Sequence, residues 1–228
     1  MRLVAAAAAS LAFTLGVTAL LQGVAGLAGD SARVWMLAWQ ERGNVSDRAQ
    51  WESAVERLQL ARRLSPLNAD YSADLGRLME WHSWQQSPGS EGFATSRALA
   101  DEFYLEAISR RPSWGFAWAH YAENQLLQGR SGNEFQTALR KAIELSPWEP
   151  GVQRKVAWMG MAVWDLLPTE LRDSVRENIE RAVQLDVHRH EIVRLAVQYD
   201  WLQHLRPMMR SEGQIATLEF VLKQIARR

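Results

Sequence analysis

Hydrophobic and polar positions follow two different patterns along this chain. From Leu3 to Leu27 no residue is charged, and the only polar ones are Ser10, Thr14, Thr18 and Gln22 among small and apolar neighbours. Beyond Asp30 apolar residues return every three or four positions between Arg, Glu and Gln, the period of an amphipathic helix. No stretch alternates with the period of a strand, and Ala, Leu, Arg, Glu and Gln all favour helix. The pattern predicts an all-α protein: one apolar helix over residues 1–29, then a helical domain over 30–228.

The apolar run covers the 25 positions from Leu3 to Leu27. At about 1.5 Å per residue it can cross a hydrocarbon layer of roughly 30 Å with some tilt. A cleaved secretory signal is the competing reading, with Arg2 as its charged start and Gly26-Leu27-Ala28 as small residues ahead of a cut before Gly29. The apolar core of such signals is usually only about 7 to 15 residues, so an uncleaved anchor is expected. Arg2 and the terminal amine on the short side place the amino terminus in the cytoplasm and the rest across the membrane. A single-pass protein of the inner membrane, with a periplasmic body, is the resulting expectation. Trp35 and Trp39 follow closely, either as interfacial indoles or as packing residues of the first helix pair.

A repeat organises the body. Ala61-Arg-Arg-Leu-Ser-Pro66, Ala107-Ile-Ser-Arg-Arg-Pro112, Ala142-Ile-Glu-Leu-Ser-Pro147 and Ala182-Val-Gln-Leu-Asp-Val187 align, three of them ending in proline. A small Ala lets helices approach closely, and proline cannot extend the helix before it but can open the next. Nine and ten residues after each anchor stand Leu75-Gly76, Tyr121-Ala122, Val156-Ala157 and Ala196-Val197. These offsets make a degenerate tetratricopeptide-like pattern, whose period is about 34 residues. The spacings are 46, 35 and 40 residues. Their excess is expected in a loop within Ser83 to Phe93 and near Leu167-Pro168-Thr169-Glu170, where Thr169 is a candidate helix cap. A partial first repeat from about Ala32 to Pro66 and a terminal helix from Ser211 to Ala226, behind Pro207, complete the solenoid.

In such a stack the first helix of each pair lines the concave surface, at about 7, 11, 14 and 15 residues after the anchor. Those positions include Arg77, Glu80 and Trp81, then Glu123, Leu126 and Leu127, then Arg154, Trp158 and Met161, then Arg194, Gln198 and Trp201. Indoles and guanidiniums are common anchors of protein interfaces, and they equally suit stacking on an acidic sugar. Filling gaps between degenerate repeats is the structural alternative. Trp118, six residues after Pro112, is assigned to the core.

Composition narrows the function. Twenty-six basic and 26 acidic residues cancel, which removes the long-range attraction that nucleic-acid binding draws on. There is no cysteine, so disulfides and thiolate chemistry are excluded. His188-Arg-His190 has two rings two residues apart, which diverge on a helix, so a solvated helix start fits better than a metal pair. Asp200 and His204 have i, i+4 spacing but no third ligand nearby in the sequence. His82 and His120 sit among aromatics with no triad partner to be read. Neither a phosphate loop nor a zinc-protease helix nor a calcium loop occurs, so no catalytic, metal or cofactor residue is expected.

An apolar amino-terminal helix followed by Leu64-Ser-Pro-Leu-Asn-Ala-Asp-Tyr71, an Ala-Ile-Glu-Leu-Ser-Pro edge and aromatic-rich helices resembles the VpsP-like polysaccharide-biosynthesis proteins. Similar text occurs in the tetratricopeptide tails of O-antigen-ligase-like membrane proteins, whose large multi-span portion has no counterpart in this sequence. The resemblance implies a non-catalytic membrane-anchored adaptor that assists exopolysaccharide synthesis or export through protein partners. A glycan-binding module of a secretion system and an assembly factor for a pilus or for cytochrome biogenesis are the alternatives.

Overall fold

A computed structural model describes residues 2–45 and 47–227, with the side chains of the first helix described at Ala7 and from Ala9 onward. The charged amino terminus read at Met1 and Arg2 lies outside those described side chains. Among the described residues every regular element is helical. The chain divides into two compact bodies, residues 1–111 and 112–228.

The amino-terminal body holds α1 (Arg2–Arg42), α2 (Arg48–Leu64), α3 (Ala69–Trp84) and α4 (Glu91–Arg110). Short polar side chains start three of them. Asp47 accepts from the Ala49 and Gln50 amides, Asn68 from Asp70 and Ser90 from Phe93, occupying donors that a helix start leaves open. Helix α1 packs on α2 and α3 on α4, with α2 also against α3. The connections are short, so each pair is a helical hairpin. Gly89 turns the α3–α4 loop at φ 82°, but that loop is only residues 85–90: the extra length of this repeat lies in α3 and α4, of 16 and 20 residues against 13 each for α5 and α6, and not in the inserted loop expected there.

Helix α1 has two different halves. Large side chains from Leu11 to Val24 are exposed, whereas Ala25, Gly29, Ala32, Met36 and Trp39 are buried, a stripe returning every three or four residues. The helix runs unbroken through residue 29, so the expected boundary between anchor and body is not a structural joint. The anchor-capable helix is itself the first helix of the first hairpin. Gly29 is where the ring of Tyr71 comes close, so that a Cβ there would stand 2.5 Å from its Cε1.

The carboxy-terminal body holds α5 (Gly115–Leu127), α6 (Asn133–Leu145), α7 (Pro150–Ala162), a 3-10 turn (Trp164–Leu166), α8 (Thr169–Ala182), α9 (Asp186–Gln198), the short α10 (Leu202–Leu205), a second 3-10 turn (Arg206–Met208) and α11 (Glu212–Ala226). Helix α5 pairs with α6, α7 with α8 and α9 with α11; α5, α7 and α9 neighbour one another in succession, as do α6 and α8. A capping box starts α11: the Ser211 hydroxyl accepts from the Gln214 amide and the Gln214 side chain accepts from the Ser211 amide.

The proline anchors mark real helix ends. Ala61, Ala107 and Ala142 are fully buried, each three residues before the end of its helix. Each accepts from the amide of the capping residue, at 2.9, 2.9 and 3.1 Å from Ser65, Arg111 and Ser146. The three caps share one extended-side backbone geometry, with φ between −140° and −130°, and the next helix begins three residues after each proline. The fourth anchor departs from this. Ala182 is the last residue of α8, Val183 caps it in a helical conformation, and α9 begins at Asp186, ahead of Val187. Counted from the helix start, Val183 occupies the place the prolines hold. Without a proline to fix φ, nothing in the sequence punctuated that turn. Thr169 is also not a cap: Pro168 stands at that position, and no side chain bonds the α8 start.

Candidate interaction surface

Of the residues expected to line a concave face, all but Trp201 lie on α3, α5, α7 and α9; Trp201 stands past the end of α9, just before α10. Four of them, Arg77, Glu123, Arg154 and Trp158, have their polar ends engaged by the neighbouring helix pair of the same body. In the amino-terminal body Arg77 on α3 reaches Gln40 on α1 at 3.4 Å and lies over the Trp81 ring. Trp81 meets Trp39 edge to face at 6.0 Å between centroids. Beside them Arg33 on α1 donates to Asp74 on α3 at 2.7 Å.

The carboxy-terminal body continues the theme. Lys155 on α7 pairs with Glu123 on α5. Arg154 on α7 lies 3.4 Å from Glu191 on α9, and the Trp158 indole N–H donates to the Tyr199 hydroxyl at 2.9 Å. Arg194 on α9 reaches Gln224 on α11 at 3.4 Å. All but the last of these contacts tie one helix pair to the next along the body, the place where gap-filling residues belong.

Exposure separates the candidates further. Glu80 and Trp201 are each only 2% exposed, and Met161 is buried too, which removes all three from any surface offered to a partner. Trp201 was placed on that face by counting from Val187; counting from Val183 substitutes Val197 and keeps Arg194 and Gln198 on α9. Arg194, Gln198 and Leu127 are exposed, and Arg77, Trp81, Leu126, Glu123, Arg154 and Trp158 are half-buried. The partners Gln40, Asp74, Lys155, Glu191 and Tyr199 escaped sequence reasoning. Their signal was available: each lies 32 to 41 residues from the residue it bonds, close to one repeat.

An aromatic cleft of about 640 Å³ opens at the end of α7 and α9. Trp164, Tyr199, Trp201 and His204 line it with Asp165, Asp200 and Gln203. Trp164 and Trp201 meet edge to face at 5.1 Å, and His204 leans on both. Asp200 adopts φ 52°, a left-handed conformation that is uncommon outside glycine. Asp200 and His204 thus sit on one rim, and His204 makes ring contacts. His82 is likewise aromatic-bound, stacked on Trp51 at 4.7 Å with Nδ1 at 2.8 Å from the Ser96 hydroxyl. Burial, aided by the charge of Arg48, pushes its pKa below the usual imidazole value. Trp35 carries Arg57 over its ring, and Trp39 is buried with its N–H on Gln50, so packing accounts for both indoles. Trp118 donates to the Pro112 carbonyl at 2.8 Å from a partly exposed position at the turn, outside the buried core to which it was assigned.

One charged network joins α2, α3 and α4. Arg62 on α2 donates to both oxygens of Glu106 on α4 at 2.9 and 2.8 Å; Ser72 and Arg110 donate to the same carboxylate at 2.9 and 2.5 Å. Burial pushes the Glu106 pKa up, but the hydrogen bonds from Arg62 and Ser72 and the charges of Arg62 and Arg110 outweigh it, so the group lies below its ordinary value. A carboxylate with a lowered folded pKa stabilises the fold above its unfolded pKa, and that contribution disappears as pH falls through the folded value. Replacing Glu106 by Gln is expected to destabilise the protein by about 2 kcal/mol at pH 7. The gap between wild type and variant in urea midpoints should shrink at pH values below the usual glutamate range; a gap independent of pH would refute the assignment.

No protein-family model matches the chain, and no curated protein matches it.

Proposed function

We propose that this protein is a membrane-anchored, non-catalytic adaptor built from tetratricopeptide-like helix pairs. The observation that carries the reading is the dual role of α1, exposed and largely apolar from Ala9 to Val24 yet packed as a hairpin helix from Ala25 onward. A helix long and apolar enough to cross a membrane thereby positions a helical body beside it. The three equivalent proline-anchored caps support the repeat. Assignment to exopolysaccharide synthesis or export, with a periplasmic body on the inner membrane, rests on the resemblance of the Leu64–Tyr71 segment and the Ala142–Pro147 edge to VpsP-like proteins. Its partners are other proteins of that assembly.

Gln198, exposed on α9, is the best-placed reporter of the partner face. A photoreactive amino acid at Gln198 should crosslink components of a polysaccharide machine, while one at Glu177, exposed on α8, should not. Equal recovery from both sites would remove the face, and pilus or cytochrome-assembly proteins would replace the pathway. A second reading, glycan binding, draws on the cleft lined by Trp164, Tyr199 and His204 with its acidic rim. It requires tryptophan emission to shift with added oligosaccharide and the shift to vanish in Trp164→Ala.

A further inference from the structure

We propose that the α2–α3 turn, with Leu67 at its tip, is a bilayer-contacting surface, so that the amino-terminal body is seated directly on the lipid headgroups. The proposal rests on the reading of α1 as a membrane anchor and adds where the body sits. Contacts along α1 establish the level of each part of the hairpins. Asp74 pairs with Arg33, the Tyr71 ring abuts Gly29, and Ser65 donates to the Gln22 side chain at 2.7 Å. Helix α3 therefore runs alongside α1 in the same direction, and moving down it from Asp74 to Ser65 moves down α1 from Arg33 to Gln22. The α2–α3 turn is the end of this body nearest the free half of α1.

Chain length then fixes the distance to the membrane. Once Gln22 is engaged by the body, the uncharged run left for lipid is residues 3–21. At about 1.5 Å per residue these 19 residues reach about 28 Å, against roughly 30 Å of hydrocarbon. No spare helix remains to act as a stalk. A spanning α1 brings Gln22, and with it the turn, to the headgroup layer.

The chemistry of the turn suits that location. Leu67 is 88% exposed, projecting an isobutyl group that no described residue covers. Arg63 is exposed one turn earlier, and Arg111, paired with Asp70 at 3.6 Å, ends α4 beside the start of α3. A lone apolar tip flanked by arginines inserts below the phosphates while the guanidiniums meet them. Trp35 and Trp39, by contrast, lie 13 and 17 residues beyond Gln22, so they stand well above this layer.

The absence of cysteine allows single labelling sites in the full chain. Nitroxides at Val17→Cys, Leu67→Cys and Ser87→Cys, all exposed positions, would be compared in vesicles of phosphatidylethanolamine and phosphatidylglycerol by collision with oxygen and with a water-soluble nickel chelate. Ser87 lies on the α3–α4 loop, at the opposite end of α3. The expected result is lipid exposure at Val17, a several-fold loss of nickel collisions at Leu67 relative to Ser87, and free access at Ser87. Lipid exposure at Val17 with Leu67 as accessible as Ser87 would overturn the seat and leave the anchor standing. Free nickel access at Val17 would overturn both.

Discussion

Replacing Gly76 with leucine is expected to destabilise the amino-terminal body by about 3 kcal/mol, while the same change at Gly23 does not destabilise it. The two glycines sit on helices of the same body but in opposite surroundings. A Cβ at Gly76 would stand 2.7 Å from Cε1 and 2.8 Å from Cζ of Tyr104. Tyr104 is fully buried on α4, three residues before Ala107. At Gly23 a Cβ meets nothing within 4 Å. Even alanine at Gly76 forces the ring aside, and a gain of about 1 kcal/mol in helix propensity offsets only part of that overpacking. Denaturation followed by tryptophan emission would measure the series, with Gly76→Ala plus Tyr104→Leu recovering part of the loss through coupling of touching sites. Equal midpoints for Gly76→Leu and Gly23→Leu would show that α3 and α4 do not approach as closely as Gly76 and Tyr104 indicate.

That pair also shows how far the sequence could be read. Gly76 was recognisable as the small member of a large-small pair ten residues after a proline, and its partner face as a helix crossing. The helix ends at Leu64, Arg110 and Leu145 were legible because proline fixes φ and interrupts hydrogen bonding at one definite place. Where proline was missing the register slipped: α8 stops at Ala182 itself, and the alignment through Val187 ran past the turn into α9. The slip carried Trp201 onto a face to which its buried side chain does not belong.

The candidate surface was less legible for a related reason. Sequence offsets say which side of a helix a residue occupies, but not whether the neighbouring helix supplies a partner that consumes its polar end. Arg154 and Trp158 look like free interface anchors until Glu191 and Tyr199 are placed opposite them. Each of those pairs spans roughly one repeat, so donors and acceptors one period apart would have been the discriminating pattern. Residues without such a complement, Gln198 and Leu127 among them, are the better indicators of a face left for others.

The boundary of the anchor gives the second large effect. Deleting residues 1–21 is expected to leave a folded chain, since the side chains described in that stretch from Ala9 onward are exposed and, among the described residues, the first hydrogen bond from the body to α1 is the one Ser65 donates to Gln22. Deleting residues 1–42 is expected to abolish the amino-terminal body. It removes Ala25, Ala32, Met36 and Trp39 from the core and opens α2 at Ala54 and Leu58 to water. Burying a large apolar side chain contributes about 1.5–3 kcal/mol, so losing Met36 and Trp39 alone takes away a large part of the roughly 5–15 kcal/mol that holds a domain folded. The same deletion removes Arg33, leaving Asp74 without its 2.7 Å partner in a nearly buried position. A cut at residue 29, where composition alone places the boundary, falls inside α1 and should give an intermediate result, because Met36 and Trp39 stay while the Gln22 and Ala25 contacts go. Hydrogen exchange on α3 amides would rank the three chains. Protection of α3 in residues 43–228 equal to that in the full chain would show that α1 is only a tether, and that the hairpin it completes is dispensable.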